Sequence, residues 1–491
     1  MRPDARPNVL LIMADQWRGD CLSVAGHPTV STPFLDRLAG QGTRYTKAYS
    51  ATPTCTPARA SLMTGLRPIT HGRVGYEDHV PWDYPTTLAG EFTRNGYQTQ
   101  AVGKMHVFPE RAQLGFQNVI LHSPLGILRS ARRRGLDPDL VDDYLPWLRL
   151  RLGRDATFFD HGIDSNSWVA RPWDKPEHLH PTNFVASESA DFLRRRDSTK
   201  PFFLFASFNA PHPPYDPPAW AFEQYIDAEM PDPPVGDWTA GLAEWAKPWD
   251  PTAFVGEVSD KTLRRARAGY YGHMSHVDSQ INFLLEELAH RGLRENTVIC
   301  FLSDHGEMLG DHHLFRKGFP YEGSARIPLI LHGPGVPAGE VRDDVVELGD
   351  VMPTLLEAAG LGVPETVEGR SFLPSTLDAA DPRPWLHGEH TLLGQSFQWL
   401  TDGHEKYVWW SGTGHEQFFD LDADPTESHD LVSSPGTEAR VGRWRDVLVG
   451  VLRGREEGFV SEGHLVAGRP VRPTLRRRTV PRRGDEDPLP A

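Results

Sequence analysis

The chain has 491 residues, 39% of them hydrophobic and 24% charged, which is long enough for a large core and more than one domain; its 45 Gly and 43 Pro point to a loop-rich α/β protein rather than a helical bundle. A net charge of −15 argues against a nucleic-acid partner and leaves a local cationic site open. Cys21, Cys55 and Cys300 give no disulfide framework, and the apolar run after Met1–Pro7 is too short for a signal-peptide core or a membrane span, so a cytoplasmic protein without a membrane partner is expected.

Val9 to Met13 is a continuous apolar run that reads as a buried parallel strand, delivering Asp15 and Gln16 at its C-terminal end. Thr32 to Ala39, with a cap residue and Pro33 in the first turn, reads as a packing helix. In Thr54-Cys55-Thr56-Pro57-Ala58-Arg59, Pro57 suits a first helical position and Gly65 a stop. A helix from about Pro57 to Thr64 then places Cys55 at the positive end, with Arg59 one turn along. Thr86 to Gly96 reads as a capped helix and Tyr97 to Val102 as a strand, followed directly by Lys104 and His106.

From about 108 to 182 the pattern loses periodicity and carries Trp147, Trp168, Trp173 and the run Arg132-Arg133-Arg134, as expected of an insertion over a site. Asn183 to Arg196 resumes as helix, and Phe202 to Phe208 is another buried strand, running into His212. A second irregular stretch covers 216–252, a long amphipathic helix covers Leu263 to Arg291, and Thr297 to Ser303 forms a strand ending in Asp304 and His305. After about Asp378 the pattern changes to short apolar pieces, with a hairpin at 406–410 and 417–421.

Four expected strands therefore end in polar candidates: Asp15 and Gln16, Lys104 and His106, His212, and Asp304 and His305. Open α/β sheets bind ligands beyond the carboxyl ends of their strands, so these groups fall on one side of a mostly parallel sheet with helices on both faces. Singly, each is an ordinary loop cap or structural histidine. Together, Asp15, Gln16 and Asp304 offer oxygen and His305 nitrogen to a hard cation.

Cys-x-Pro-x-Arg followed by Ala60-Ser61-Leu62-Met63-Thr64-Gly65 resembles the signature of the type I, formylglycine-dependent sulfatases of the alkaline phosphatase superfamily. Gly103-Lys104-Met105-His106, the stretch from Phe315 through Lys317 to Glu322, and Phe419-Asp420-Leu421 with Asp424-Pro425 resemble further segments of that family, over about residues 7–465. The resemblance implies an alkaline phosphatase-like fold: a large mostly parallel sheet sandwiched by helices, with a smaller C-terminal α+β domain containing an antiparallel sheet. The expected division is a catalytic domain over 1–377, with insertions near 108–182 and 216–252, a C-terminal subdomain over 378–465 and a mobile Arg- and Pro-rich tail over 466–491.

It further implies a sulfuric ester hydrolase in which Cys55 is oxidised to formylglycine by a formylglycine-generating or anaerobic sulfatase-maturating enzyme. The cation, Ca2+ with Mn2+ or Mg2+ as alternatives because His305 stands where many relatives have Asn, would be held by Asp15, Gln16, Asp304, His305 and position 55. Arg59, Lys104 and Lys317 would supply cations for the sulfate group, His212 would protonate the departing alcohol, and His106 would remove the proton that lets sulfate leave. The substrate expected is a small-molecule or sugar sulfate ester, and the aromatic loops would permit a homo-oligomer. Two alternatives accompany this reading: a phosphonate monoester hydrolase or phosphodiesterase of the same superfamily, whose members share Gln16 and His305 but lack the Lys-x-His pair, and an inactive sulfated-glycan-binding relative.

Overall fold

The computed structural model describes residues 6–477. Among them an eight-stranded sheet runs in the order β4-β3-β5-β1-β6-β7-β2-β8. Its strands are β1 (Asn8–Asp15), β2 (Thr43–Tyr49), β3 (Gln98–Gly103), β4 (Asn118–Leu121), β5 (Phe202–Pro211), β6 (Thr297–Ser303), β7 (Arg326–His332) and β8 (Glu340–Glu347). The central neighbours β3, β5, β1 and β6 are all parallel, so the four strand ends expected to carry polar side chains lie along one edge. Only β7 runs against the rest, antiparallel to both β6 and β2.

The apolar runs of β1, β5 and β6 are continuous because both faces of the sheet are covered. Leu10, Ile12, Leu204, Ala206, Ile299 and Phe301 pack with Tyr270, Val277, Ile281, Leu284 and Leu288 of the Asp260–His290 helix. The alternate residues Val9, Leu11, Met13, Phe203, Phe205 and Cys300 pack on the other face with Ala58, Leu62 and Met63 of the Cys55–Thr64 helix and with Leu355 of the Val351–Ala358 helix. The period of two along each strand thus separates two cores. The long helix begins where the Ser259 hydroxyl accepts from the Thr262 amide and stops before Gly292, whose φ is 64°.

Residues 108–182 are more ordered than their pattern suggests. They hold edge strand β4 and the helices Leu125–Arg133 and Tyr144–Leu152, whose apolar stripes are broken up by arginines. The tryptophans of this stretch are packing residues: Trp168 lies against Phe315, Trp173 against His180 and Trp147 against Phe184. In the Arg132–Arg134 run, Arg132 covers the Phe159 ring and Arg134 pairs with Glu110.

A four-stranded antiparallel sheet follows, β9 (Leu386–Leu392), β10 (Gln395–Thr401), β11 (Glu405–Trp410) and β12 (Glu416–Asp420), in the order β12-β11-β10-β9. The expected hairpin is β11–β12, with Lys406 opposite Phe419. Leu400, Tyr407, Trp409 and Phe418 face Val441, Trp444 and Leu448 of the Glu438–Leu452 helix, while Phe397, Trp399, Val408 and Trp410 face Phe319 and Tyr321 of the larger domain. The segment expected to be mobile from 466 docks as far as it is described. Pro473 O accepts from the Val74 amide, the Leu475 amide donates to Gly72 O at 2.7 Å, and Arg477 covers the Tyr84 ring. Here Arg and Pro edge onto existing backbone; residues 478–491 of that segment lie outside the described residues. No described helix is long and apolar enough to cross a membrane.

Lys406 holds the two sheets together from within. Fully buried, its Nζ donates to Pro320 O at 2.9 Å, Glu322 at 2.8 Å and Glu427 at 2.7 Å. Burial, followed by the neighbouring Glu322, leaves the Glu427 carboxyl pushed up to about 7 even with Lys406 beside it. Removing the ammonium leaves the buried Glu427 without its cation and Glu322 with Arg326 alone. Lys406→Met is expected to cost about 3–5 kcal/mol, seen as a lower urea midpoint at unchanged slope; a loss below about 1 kcal/mol would show that the carboxyl groups find other partners.

Candidate active site

The site is assembled where β1 and β6 end side by side. The Ser303 hydroxyl lies 2.7 Å from both Ala14 O and His305 O and accepts from the Trp17 amide at 2.8 Å, which ties the two strand ends together. Asp15 and Asp304 consequently emerge as neighbours, both fully buried. Gln16 turns the chain at φ 71°, a left-handed conformation rare for its residue type, and its amide donates to Asp304 Oδ1 at 3.1 Å.

The Cys55–Thr64 helix crosses beneath these carboxylates. It begins at Cys55 itself, with Thr54 as the extended N-cap residue and Pro57 in the third helical position, and it ends at Gly65 with φ 67°. Arg59 donates from Nε to Asp304 Oδ2 at 3.0 Å, from Nη2 to Asp15 Oδ2 at 2.9 Å, and from Nη1 to Lys104 O and Ser207 Oγ. Four of its five N–H donors are thereby met within the protein. The cation expected to contact a substrate anion is also the brace that lets two carboxylates share one buried place.

Lys104 stands at the end of β3, after a glycine that nothing else could replace. Gly103 has φ 99°, and a Cβ there would lie 2.0 Å from Ser207 O; this closeness lets the Lys104 amide donate to Ser207 O at 2.9 Å. The buried ammonium sits 2.7 Å from Asp15 Oδ2 and 3.7 Å from Cys55 Sγ. His305 donates from Nδ1 to Gly306 O at 2.9 Å, which turns Nε2 toward Cys55 Sγ at 3.3 Å, Asp304 Oδ1 at 3.7 Å and Asp15 Oδ1 at 3.8 Å.

Ligand atoms of Asp15, Cys55, Asp304 and His305 all lie within 4.8 Å of one another. Burial and the adjacent Asp15 push the Asp304 carboxyl up to about 6. Asp15, against the pull of burial, is held well below the usual carboxylate range by Lys104, His212 and Arg59. Burial and Asp15 oppose ionisation of Cys55, yet Lys104, Lys317 and His305 hold its thiol well below the ordinary value. Two clustered carboxylates and an imidazole nitrogen, one carboxyl still strained by its neighbour, make a donor set that fits a hard divalent cation. Gln16 stands at its margin: its Nε2 donates to Glu307 and its Oε1 accepts from Lys317 Nζ.

His212 and His106 face a cavity of about 390 Å³ that also exposes Cys55, Lys104 and Lys317. His212 donates from Nδ1 to Pro213 O at 2.7 Å; burial, Lys317 and Lys104 drive its imidazolium pKa well below the normal value. His106, at φ 57°, has Nε2 3.4 Å from the Tyr76 hydroxyl and 3.8 Å from Asp78 Oδ1. Burial pushes the Lys317 ammonium down. All ten residues expected at the site thus gather here, Arg59 as brace and Gln16 through Lys317.

Several participants escaped the sequence reading. Glu307 orients Gln16 and accepts from the Leu309 and Arg316 amides, although it directly follows Asp304-His305-Gly306 and could have been read as part of that turn. Tyr76 and Asp78 reach His106 from a loop without periodicity. Arg316 and Phe254 form one wall, and His390 of β9 and Pro473 bring the C-terminal residues to the same cavity. The 216–252 stretch supplies none of the residues lining it.

The family model described as Sulfatase matches residues 7–361, and one described as N-sulphoglucosamine sulphohydrolase, C-terminal, matches residues 310–449. An arylsulfatase of Clostridium perfringens (strain 13 / Type A) is 45% identical over 476 residues, covering 95% of this chain and 98% of the relative. An ulvan-active sulfatase of Formosa agariphila is 29% identical, over 88% of this chain and 78% of its own. Among solved structures, the phosphonate monoester hydrolase of Agrobacterium radiobacter superposes with a TM-score of 0.73 at 27% identity, covering 95% of this chain and all of the other. The fold is that of the alkaline phosphatase-like sulfatases, and the chain belongs to the sulfatase family of enzymes that hydrolyse sulfate esters.

Proposed function

We propose that this sulfatase cleaves a sulfate monoester to alcohol and sulfate, using formylglycine formed from Cys55 and a divalent cation, Ca2+ in first place, at Asp15, Gln16, Asp304, His305 and position 55. The observation that carries this reading is the position of Cys55 Sγ at the first residue of a buried helix, 3.3 Å from His305 Nε2 and 3.7 Å from Lys104 Nζ. Formylglycine supplies, as its hydrate, one hydroxyl to attack sulfur and a second whose deprotonation releases sulfate. A cation bound at the two carboxylates supplies the charge that polarises a sulfate oxygen.

The remaining steps belong to side chains of this chain. Lys104 and Lys317 place two ammonium groups at the cavity floor, where charge grows on the ester oxygens in the transition state. The bond from His212 Nδ1 to Pro213 O leaves Nε2 as its exchangeable site. A proton carried there is acidic, because burial and the two lysines disfavour the imidazolium, and it passes to the alcohol oxygen as that bond breaks. His106 is the base that accepts a proton from position 55, steadied by Tyr76 and Asp78. Arg59 keeps Asp15 and Asp304 in place throughout.

The phosphonate-cleaving relatives share the fold, and some phosphodiester turnover is expected from the shared metal donors. Lys104 and His106 favour sulfate as the main substrate. Mass analysis of the peptide bearing Cys55, from protein produced with a formylglycine-generating enzyme, is expected to show the aldehyde. Cys55→Ala is expected to lower aryl sulfate turnover by about a thousandfold or more. Full activity with an unmodified thiol would overturn the reading.

Lys104→Ala is expected to lower kcat/KM on a sulfate ester by about a hundredfold, as for loss of one charge-stabilising donor, and by about tenfold less on a phosphodiester. Parallel assays of one matured preparation on both ester classes check this. Equal losses on the two would remove Lys104 from the sulfate-specific contacts.

A further inference from the structure

The catalytic groups account for only part of the positive charge at the cavity. Arg316, the residue before Lys317, has φ 68°, a left-handed conformation uncommon for a residue with a Cβ. It is held so by donation of its amide to Glu307 Oε1, the carboxylate that also fixes Gln16. Glu307 therefore orients the metal-site residue and the cavity wall together.

The Arg316 guanidinium lies 3.9 Å from the centre of the Phe254 ring and donates from Nη1 to Thr252 O at 3.0 Å. Nε is buried without a hydrogen-bond partner. Arg18, Arg267 and Arg455, similarly enclosed, each meet a carboxylate. Arg316 forms no ion pair among the described residues. The cavity lining includes Lys104, Lys317 and Arg316 and no aspartate or glutamate. Glu307, Asp164 and Asp250 act on it only from beyond ion-pair distance, and an arginine positioned by strained backbone, stacked on an aromatic face and without a direct ion pair is prepared for an anion that arrives with the ligand.

We infer that Arg316 is a substrate-recognition residue that binds a second oxyanion, a sulfate or a carboxylate, on the alcohol part of the ester. This rests on the sulfate-ester reading of the site and goes beyond it by naming the substrate class: the leaving alcohol is itself anionic. Lys104 and Lys317 take the sulfate being cleaved, and Arg316 takes the group that remains on the alcohol. A cavity of about 390 Å³ is at the small end of ligand pockets, roughly 300–1,000 Å³, so the two anionic groups sit on a compact scaffold whose carbon framework meets Phe254, Ile127 and Leu392.

The test uses matured full-length protein, with formylglycine verified by mass, and phenyl sulfates that differ only in carrying a carboxylate, a second sulfate or a neutral carboxamide at the same ring position. One charge-assisted hydrogen bond corresponds to a preference of about tenfold to a hundredfold. The wild type is expected to prefer at least one anionic ester over the carboxamide by that factor, mainly through KM, and the two anionic arms tell sulfate from carboxylate. Arg316→Met and Arg316→Gln are expected to bring the ratio within about threefold, and Arg316→Lys to keep part of it. Equal kcat/KM for charged and neutral esters in the wild type overturns this inference alone and needs no variant. A preference that survives in Arg316→Met and Arg316→Gln also overturns it. Failure to cleave any of the esters overturns the sulfate-ester reading and this inference with it.

Discussion

Two carboxylates buried side by side are the constraint on which the site depends. Asp15 and Asp304 come from adjacent parallel strands whose ends are stitched by Ser303, and in a dry interior neither tolerates the other's charge without cations. Arg59 meets both at once. Because Arg59 and Cys55 share one turn of helix, the salt bridges that neutralise the carboxylates also set the place of Cys55. This explains how a ten-residue helix can be buried along its whole length: it is anchored at its first turn by charge and along the rest by Ala58, Leu62 and Met63 in the core. A lysine at position 59 could neutralise one carboxylate but could not span both in a fixed plane.

The second level of organisation separates jobs by distance along the chain. Groups that would handle the sulfate come from the ends of β1, β3, β5 and β6 and from the turn after β6. Groups that meet the rest of a ligand come from elsewhere: Ile127 from the segment after β4, Phe254 from the loop before the long helix, and His390 and Leu392 from β9. Binding and bond-breaking can therefore vary independently, since a change in β9 leaves the register of the central strands untouched.

Much of this was legible because the central strands are buried on both faces and so read as unbroken apolar runs, and because each ends in an abrupt polar group. The outer strands gave no such signal. β2 alternates with Arg44 and Thr46, β4 is half exposed, and β8 carries Arg342, Asp343 and Asp344 in its middle. The partners of Arg59 were not legible either: position near a helix start predicts anion contact, but only the fold reveals that Asp15 and Asp304 are anions it meets. Tyr76, Asp78 and His390 have no local pattern that could mark them, since their relation to the site is set by loop paths and by domain docking. The tryptophans of 108–182 illustrate the opposite case, a conspicuous composition that serves the core.

The docking of the C-terminal residues has a bearing on synthesis. Domains of a growing chain fold as units, the N-terminal one first, and here the central sheet and its carboxylate pair are complete once β8 has emerged. The cavity is not. Its wall waits for His390 and Leu392, and its rim for Pro473, whose carbonyl bonds Val74. A chain lacking these residues would carry Cys55 on an open shelf with no enclosed cavity beside it. The enclosed cavity is therefore acquired late, when β9 and the segment at Pro473 close over a centre built from much earlier parts of the chain.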